Sequence, residues 1–247
     1  MKKLTILTAA MLAISANANS TIVEFGPDGG GELQAVFNDL ATDGTNDVNV
    51  VTDAVSDDQD SSWTINAVGG SISTLIIELA NYAPTSSFGI YDLYDHSNSV
   101  ELFAGANSSS DQVALSILGD GSVKINFSDT GIDFASLGDF GYYLDVVATG
   151  DIYYSDTSLN SDGFDHMLAY RGIGEEMEIS PYAAGPWSSS EYILAWEDIN
   201  GGGDKDYSDF VVMVGSVSTT SVPEPASVVL LSFGIAGIGF ARRARKA

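Results

Sequence analysis

Residues 191–214 read EYILAWEDINGGGDKDYSDFVVMV, two apolar runs separated by three glycines and five carboxylates. Glu197 and Asp198 end the first run, and Asn200 with Gly201–Gly203 supplies a turn at positive φ. Asp204, Asp206 and Asp209 then lead into the second run. Glycine takes positive φ without steric penalty, so the stretch predicts a strand, a bent acidic loop and a returning strand.

The same grammar runs through most of the chain. SWTINAV, SISTLIIELA, SFGIYDLYD, QVALSIL, SVKINF, FGYYLDVVA, EYILAWED and DFVVMVG are short, rich in β-branched and aromatic residues, and bounded by Gly, Ser, Asn and Asp. In SVKINF, Val123, Ile125 and Phe127 alternate with polar residues, which predicts one buried and one wet face. SISTLIIELA is nearly continuous, as in a strand inside a packed pair of sheets. One helix is expected near the N-terminus, where Leu33, Val36, Phe37 and Leu40 recur at helical spacing. The expected fold is all-β: an antiparallel, jelly-roll-like β-sandwich with one short helix. Asp43–Asp60 is rich in Asp and Asn and reads as a solvated loop, with a second cation site as the alternative.

Both ends read as addresses. Lys2 and Lys3 precede an uncharged run, Leu4–Ile14, and Ala16 and Ala18 place small residues for signal peptidase, which predicts a signal peptide over 1–18. At the other end, Pro223-Glu224-Pro225 precede an uncharged apolar segment, Ala226–Phe240, and a basic cluster holding Arg242, Arg243, Arg245 and Lys246. Arginines resist translocation, so this order describes a stop-transfer device, a short C-terminal transmembrane helix with the basic end inside. The body is then a single domain over 19–221, followed by a sorting segment over 222–247.

All but one of the 34 acids, but only three bases (Lys124, Arg171 and Lys205), lie in that body. Such a surface repels nucleic acid and anionic membranes, and it meets acidic polysaccharide only through bridging cations. Without cysteine the chain forms no disulfide, thiol nucleophile or Cys-ligated zinc.

Hard oxygen donors on a flexible loop suit calcium, so Glu197, Asp198, Asp204, Asp206 and Asp209 form the first candidate metal set. A hairpin whose carboxylates cap turn amides without metal is the alternative. Asp156, Asn160, Asp162 and Asp165 form a second, weaker set, with an Asx-rich turn as its alternative. Of the two histidines, His96 and His166, neither sits in a catalytic-triad context, and His166 reads as structural. The acidic surroundings of Gly201–Gly203 exclude a phosphate cradle.

The tail resembles the PEP-CTERM sorting signal of exported proteins from mostly Gram-negative, exopolysaccharide-producing bacteria. That resemblance implies recognition by exosortase, transient anchoring in the inner membrane, and a final place at the cell surface or in the biofilm matrix. The body, over roughly Ile72–Val217, resembles a domain of unknown function common in such proteins and in calcium-repeat surface proteins. Its ending is matched here by Trp196, Glu197, Asp198, Gly202, Gly203, Asp204, Asp206, Tyr207 and Asp209. The resemblance implies an exported, β-rich domain with no established catalysis, for which association with calcium is an expectation. The leading expectation is therefore a non-enzymatic surface or matrix protein that calcium stiffens and bridges to exopolysaccharide. A carbohydrate-binding module using Trp187, Tyr153 or Tyr154 as sugar platforms is the alternative, and a secreted hydrolase the remote one.

Overall fold

The computed structural model describes residues 23–67, 70–78, 86–105 and 107–220. The signal cleavage residues and the sorting segment from Pro223 to Arg243 lie outside the described residues. Among those described, no helix is long and apolar enough to cross a membrane.

Two antiparallel sheets carry the fold, and neither closes into a barrel. One runs in the order β15 (Val217–Thr219), β1 (Trp63–Ile65), β8 (Asp139–Val146), β3 (Ser86–Asp92), β4 (Asp95–Ala104). Strand β8 pairs with β1 at Asp139 and Phe140, and with β9 (Asp151–Tyr154) from Tyr143 onward. The other sheet runs β10 (Met167–Arg171), β13 (Glu191–Trp196), β14 (Phe210–Gly215), β2 (Ser71–Glu78), β5 (Gln112–Ile117), β6 (Ser122–Ile125), β7 (Ser128–Asp133). A small ribbon pairs β11 (Glu176–Met177) with β12 (Gly185–Pro186). The path is more local than the two Greek keys of a jelly roll. Hairpins β3–β4, β8–β9 and β13–β14 and the meander β5–β6–β7 each stay within one sheet.

Side chains on a strand alternate between faces, and here both faces of the central strands meet apolar partners. Tyr192, Leu194 and Trp196 of β13, with Phe210, Val212 and Val214 of β14, point into the core between the sheets, where they meet Trp63, Phe88 and Tyr142. Their neighbours Ile193, Ala195 and Val211 point the other way into a second core with Leu33, Phe37, Leu40, Tyr170 and Trp187. This explains why the strands read as continuous apolar runs.

The second core is roofed by the N-terminal layer. Helix α1 (Gly31–Leu40) forms where the spacing places it, burying Leu33, Phe37 and Leu40. Its start is fixed by Asp28, whose carboxylate accepts from the backbone N–H groups of Gly30 and Glu32, two of the donors a helix start leaves open. The segment expected to be a solvated loop is part of this roof. Val48, Val50 and Ala54 are buried, Tyr170 Oη donates to Val50 O at 2.8 Å, and Val55 N donates to Ala169 O. A short helix, α2 (Asp57–Asp60), closes the segment. Its valines are too sparse to show a period, and burial follows from the sheet face they cover.

Phe127 departs from the alternation of SVKINF. Asn126 (φ 49°) and Phe127 (φ 67°) form the two-residue turn between β6 and β7, and the Phe127 ring is 83% exposed. A tight hairpin needs positive φ at both central positions, and the turn takes the aromatic out of the core face.

Because Phe37 fills the roof against Tyr170 and Trp187, with ring centroids 5.0 and 5.9 Å away, Phe37→Ala is expected to lower the unfolding free energy by about 3–5 kcal/mol. Urea titration followed by tryptophan fluorescence checks this. A loss below about 1 kcal/mol, the scale of a surface change, would mean that the helix does not cover the sheet.

Candidate metal centre

The β13–β14 hairpin sets the site. Trp196 pairs with Phe210, and the loop 197–209 rises from that last pair. Glu197 N donates to His166 O at 3.0 Å, which extends the β10 pairing one step and drives the Glu197 side chain into the protein, where it has no exposed surface. The three glycines then turn the chain back over it, at φ 77°, 83° and 47°. A Cβ on Gly202 would lie 2.2 Å from the Phe164 ring, and one on Gly203 would lie 3.0 Å from Glu197 Oε2. Glycine is needed here for close approach as well as for φ.

The returning chain brings acids together. A carboxylate oxygen from each of Glu197, Asp204 and Asp206 lies within 4.8 Å of the others, and among the described residues no other group of three His, Cys, Asp or Glu converges in this way. Glu197 Oε1 accepts from Tyr207 N at 2.9 Å, whereas Glu197 Oε2 is buried with no partner. Asp206 Oδ1 accepts from Ser208 N at 2.8 Å. Asp204 is exposed, so the cluster opens to solvent on its side. Behind it, Asp198 N donates to Asp209 Oδ2 at 3.1 Å, and Asp198 Oδ2 is a second buried oxygen without a partner.

Among the described residues, no Lys or Arg forms a salt bridge with these carboxylates. Lys205, inside the loop, carries its Nζ over the Phe164 ring, 5.3 Å from the centroid. Burial pushes the Glu197 carboxyl up to about 8, and the charges of Asp209, Asp206 and Asp204 add to it. Asp209 is pushed up to about 7, first by burial and then by Asp198, and burial also raises Asp198.

The second set from the sequence does not converge; each member has a structural task. Asp156 Oδ1 accepts from Ser158 N and caps the 3-10 turn Thr157–Leu159. Asn160 clamps both backbone groups of Tyr154 and the carbonyl of Phe164. Asp162 Oδ2 accepts from Gly201 N at 2.6 Å and faces His166 Nε2 at 3.0 Å; it thus props the glycine turn of the first site. Several hydrogen bonds hold Asp162 low, at about 2, despite some burial. Asp165 accepts from Met167 N and is pushed up to about 7 by burial, with the charge of Asp57 adding.

His166 is structural: one ring nitrogen meets Glu197 O at 2.9 Å, the other meets Asp162, and its ring stacks on Tyr153. In the 43–60 segment, Asp43 accepts from Thr45 N and Asp53 from Asn49 N in local turns, while Asp57 accepts from Thr157 Oγ1. The aromatics expected as sugar platforms are packed inward. Trp187 and Tyr153 are buried, and Tyr154 is half-buried against Tyr91 and His96.

Glu32, which the sequence did not single out, is exposed in the first turn of α1, and its carboxyl is raised above the ordinary range. The charge of Asp206 raises it most, with Asp28 and Asp204 contributing.

The donor set suits a hard divalent cation. Calcium binds oxygens at about 2.4 Å, so two ligands of one ion lie no more than about 4.8 Å apart, and the three carboxylates offer oxygens inside that limit.

No curated protein and no solved structure matches the chain. Residues 107–216 match a domain of unknown function (DUF4114), and residues 221–246 match the PEP-CTERM protein-sorting motif. The chain thus carries a DUF4114 domain followed by a PEP-CTERM motif, and that motif implies an exported surface protein, anchored transiently by its C-terminus and processed by exosortase.

Proposed function

We propose that the protein is a non-catalytic component of the cell surface or extracellular matrix whose 197–209 loop binds calcium. The observation that carries this reading is the Glu197 carboxylate, which has Oε2 buried without a partner and one oxygen within 4.8 Å of oxygens from Asp204 and Asp206. A buried ionised carboxylate without a counter-charge is costly, and a bound cation removes both the desolvation penalty and the mutual repulsion. Extracellular calcium modules work at dissociation constants of about 0.1–1 mM, a range that one open, three-carboxylate site suits. The exposed side at Asp204 leaves coordination positions for water or for a uronate carboxylate, which is how an acidic body would hold an acidic exopolysaccharide.

A second reading, a carbohydrate-binding module, has one observation in its favour. A groove of about 330 Å³ is lined by residues that include Ile72, Met213, Tyr182 and Glu191. Glycan binding that survives chelation would favour it.

Two outcomes test the calcium reading. In a thermal melt of the full chain in mild detergent, calcium at 100 times its dissociation constant should stabilise the body by about 2.7 kcal/mol over the chelated protein. The gain should vanish in Asp204→Asn/Asp206→Asn; no shift at millimolar calcium would sink the reading.

The second outcome is the pH dependence in chelator. Glu197 is held at about 8 in the fold against an ordinary value of 4.5, and Asp209 and Asp165 at about 7 against 3.8. The folded state therefore binds more protons between those values. The stability these groups contribute is full below pH 4 and is lost as pH rises through 7 and 8. Tm should fall from pH 5 to 8 without calcium, and Glu197→Gln should flatten part of the fall. A chelated Tm that rises over this range would contradict the assignment.

A further inference from the structure

We propose that the uncovered half of the seven-stranded sheet binds a linear, uncharged glycan, laid across β14, β2, β5 and β6 from the groove beside Tyr182 to the exposed ring of Phe127. It rests on the carbohydrate reading of that groove and extends it; it does not depend on calcium.

The sheet is roofed on one half only, because the second core draws its sheet residues from β10, β13 and β14. Beyond β14 the register carries the same outer face onward. Gly215 lies opposite Ile72, Ile72 opposite Ala114, and Ser116 opposite Lys124. The strand neighbours Val113, Leu115 and Val123 point the other way, into the core between the sheets. Ile72 is left 53% exposed. Two clefts take lining residues from this face. The groove beside Tyr182 includes Ile72, Gln112 and Gly215, and a second cleft of about 400 Å³ includes Gly70, Ser116, Lys124 and Phe127. Ile72 and Gly70 are two residues apart, about 7 Å along an extended chain. Gln112 and Ser116 share the outer face of β5 with only the small side chain of Ala114 between them. The clefts therefore adjoin and form one track.

Phe127 is costly where it stands. At φ 67° a bulky residue is strained where glycine is not, and at 83% exposure its ring adds little to the core. The turn is fixed without the ring, since Asn126 N donates to Ala114 O and Asn126 Oδ1 accepts from Ala114 N. An aromatic ring is thus held on a rigid tip beside a cleft, next to Lys124, which forms no salt bridge among the described residues.

Charge selects the ligand class. The chain carries 34 acids, yet among the described residues Glu191 is the one acid that lines either cleft, and its Oε2 already accepts from Ser188 N. A cationic ligand finds little counter-charge here, and a polyanion is repelled by the body as a whole. An uncharged glycan meets both conditions: its C–H faces suit Ile72, Met213 and Phe127, and its hydroxyls suit the Lys124 ammonium. Clefts of this size, mostly apolar with a few polar groups to fix orientation, are the usual form of a ligand site.

The test is titration calorimetry on the full chain in mild detergent with chelator. The probes are linear hexasaccharides of glucose, mannose, galactose and N-acetylglucosamine, their disaccharides, and polygalacturonate. At least one hexasaccharide should bind, about tenfold more tightly than its disaccharide. Phe127→Gly and Lys124→Gln should each weaken the hexasaccharide by about tenfold, the scale of losing one anchoring side chain, and leave the disaccharide unchanged. Phe127→Gly should keep or raise Tm, because glycine relieves the positive φ, so its loss of binding is not a loss of fold. Tyr94→Ala, which removes a 79% exposed aromatic from the other sheet, should change nothing. Wild-type hexasaccharide affinity in Phe127→Gly would overturn the track and leave the groove beside Tyr182 standing. No binding of any hexasaccharide at millimolar concentration would overturn both, and tighter binding of polygalacturonate would overturn the uncharged class.

Discussion

A carboxylate with no exposed surface, one oxygen on Tyr207 N and the other on nothing, is the constraint around which this end of the molecule is organised. Glu197 cannot turn away, because its backbone is held in register by His166 O at the end of the central hairpin. Its neighbours must therefore adapt. Three glycines let the chain double back, Gly202 fits against the Phe164 ring, and Tyr207 donates from a backbone at φ 55°. Unfavourable φ at a non-glycine residue persists only where surrounding contacts over-determine it. Here those contacts are the buried Tyr207 ring and its hydroxyl bond to Asp165 O.

The loop is also braced from the side. Asp162 holds Gly201 N and His166, His166 holds Glu197 O, and Asn160 ties the strand before it to the turn after it. Asp162 and Asn160, which resembled members of a second cation set on composition, are thus scaffold for the 197–209 loop. Composition alone does not separate the two roles, because an Asp that caps an amide and an Asp that offers a free oxygen look alike in sequence. What separates them is whether hydrogen-bond donors consume the carboxylate, and that depends on contacts 30 to 40 residues apart.

Much of the β-structure was legible. The hairpin around Gly201–Gly203, helix α1 and strands β1, β2, β3, β5, β6, β8, β13 and β14 appear where pattern and turn chemistry place them, because alternation and glycine act locally; β4, β7, β9, β10 and β15 were not among the expected strands. Roles set by distant partners were not legible. Val48 and Val50 are buried by a sheet over a hundred residues away, and Trp187 becomes interior only because Phe37 lies on it. Phe127 breaks the alternation because the hairpin's length, not its polarity pattern, puts it in the turn.

The other end of the body bears on how such a protein can be sorted without being damaged. Strand β15 pairs with β1 through Val217, Ser218 and Thr219, and Thr220 N then donates to Ser62 O. The sorting motif begins at residue 221, immediately after that bond. Removal of the motif therefore takes away no described strand and leaves no described ladder donor of β15 unpaired, so processing need not change stability. With no disulfide available, the exported body relies on a sheet buried on both faces and on whatever neutralises its acids. The first of these is present as soon as the chain folds. On the proposed calcium reading the second depends on the ionic medium, and the molecule would be stiffest where divalent cations are abundant.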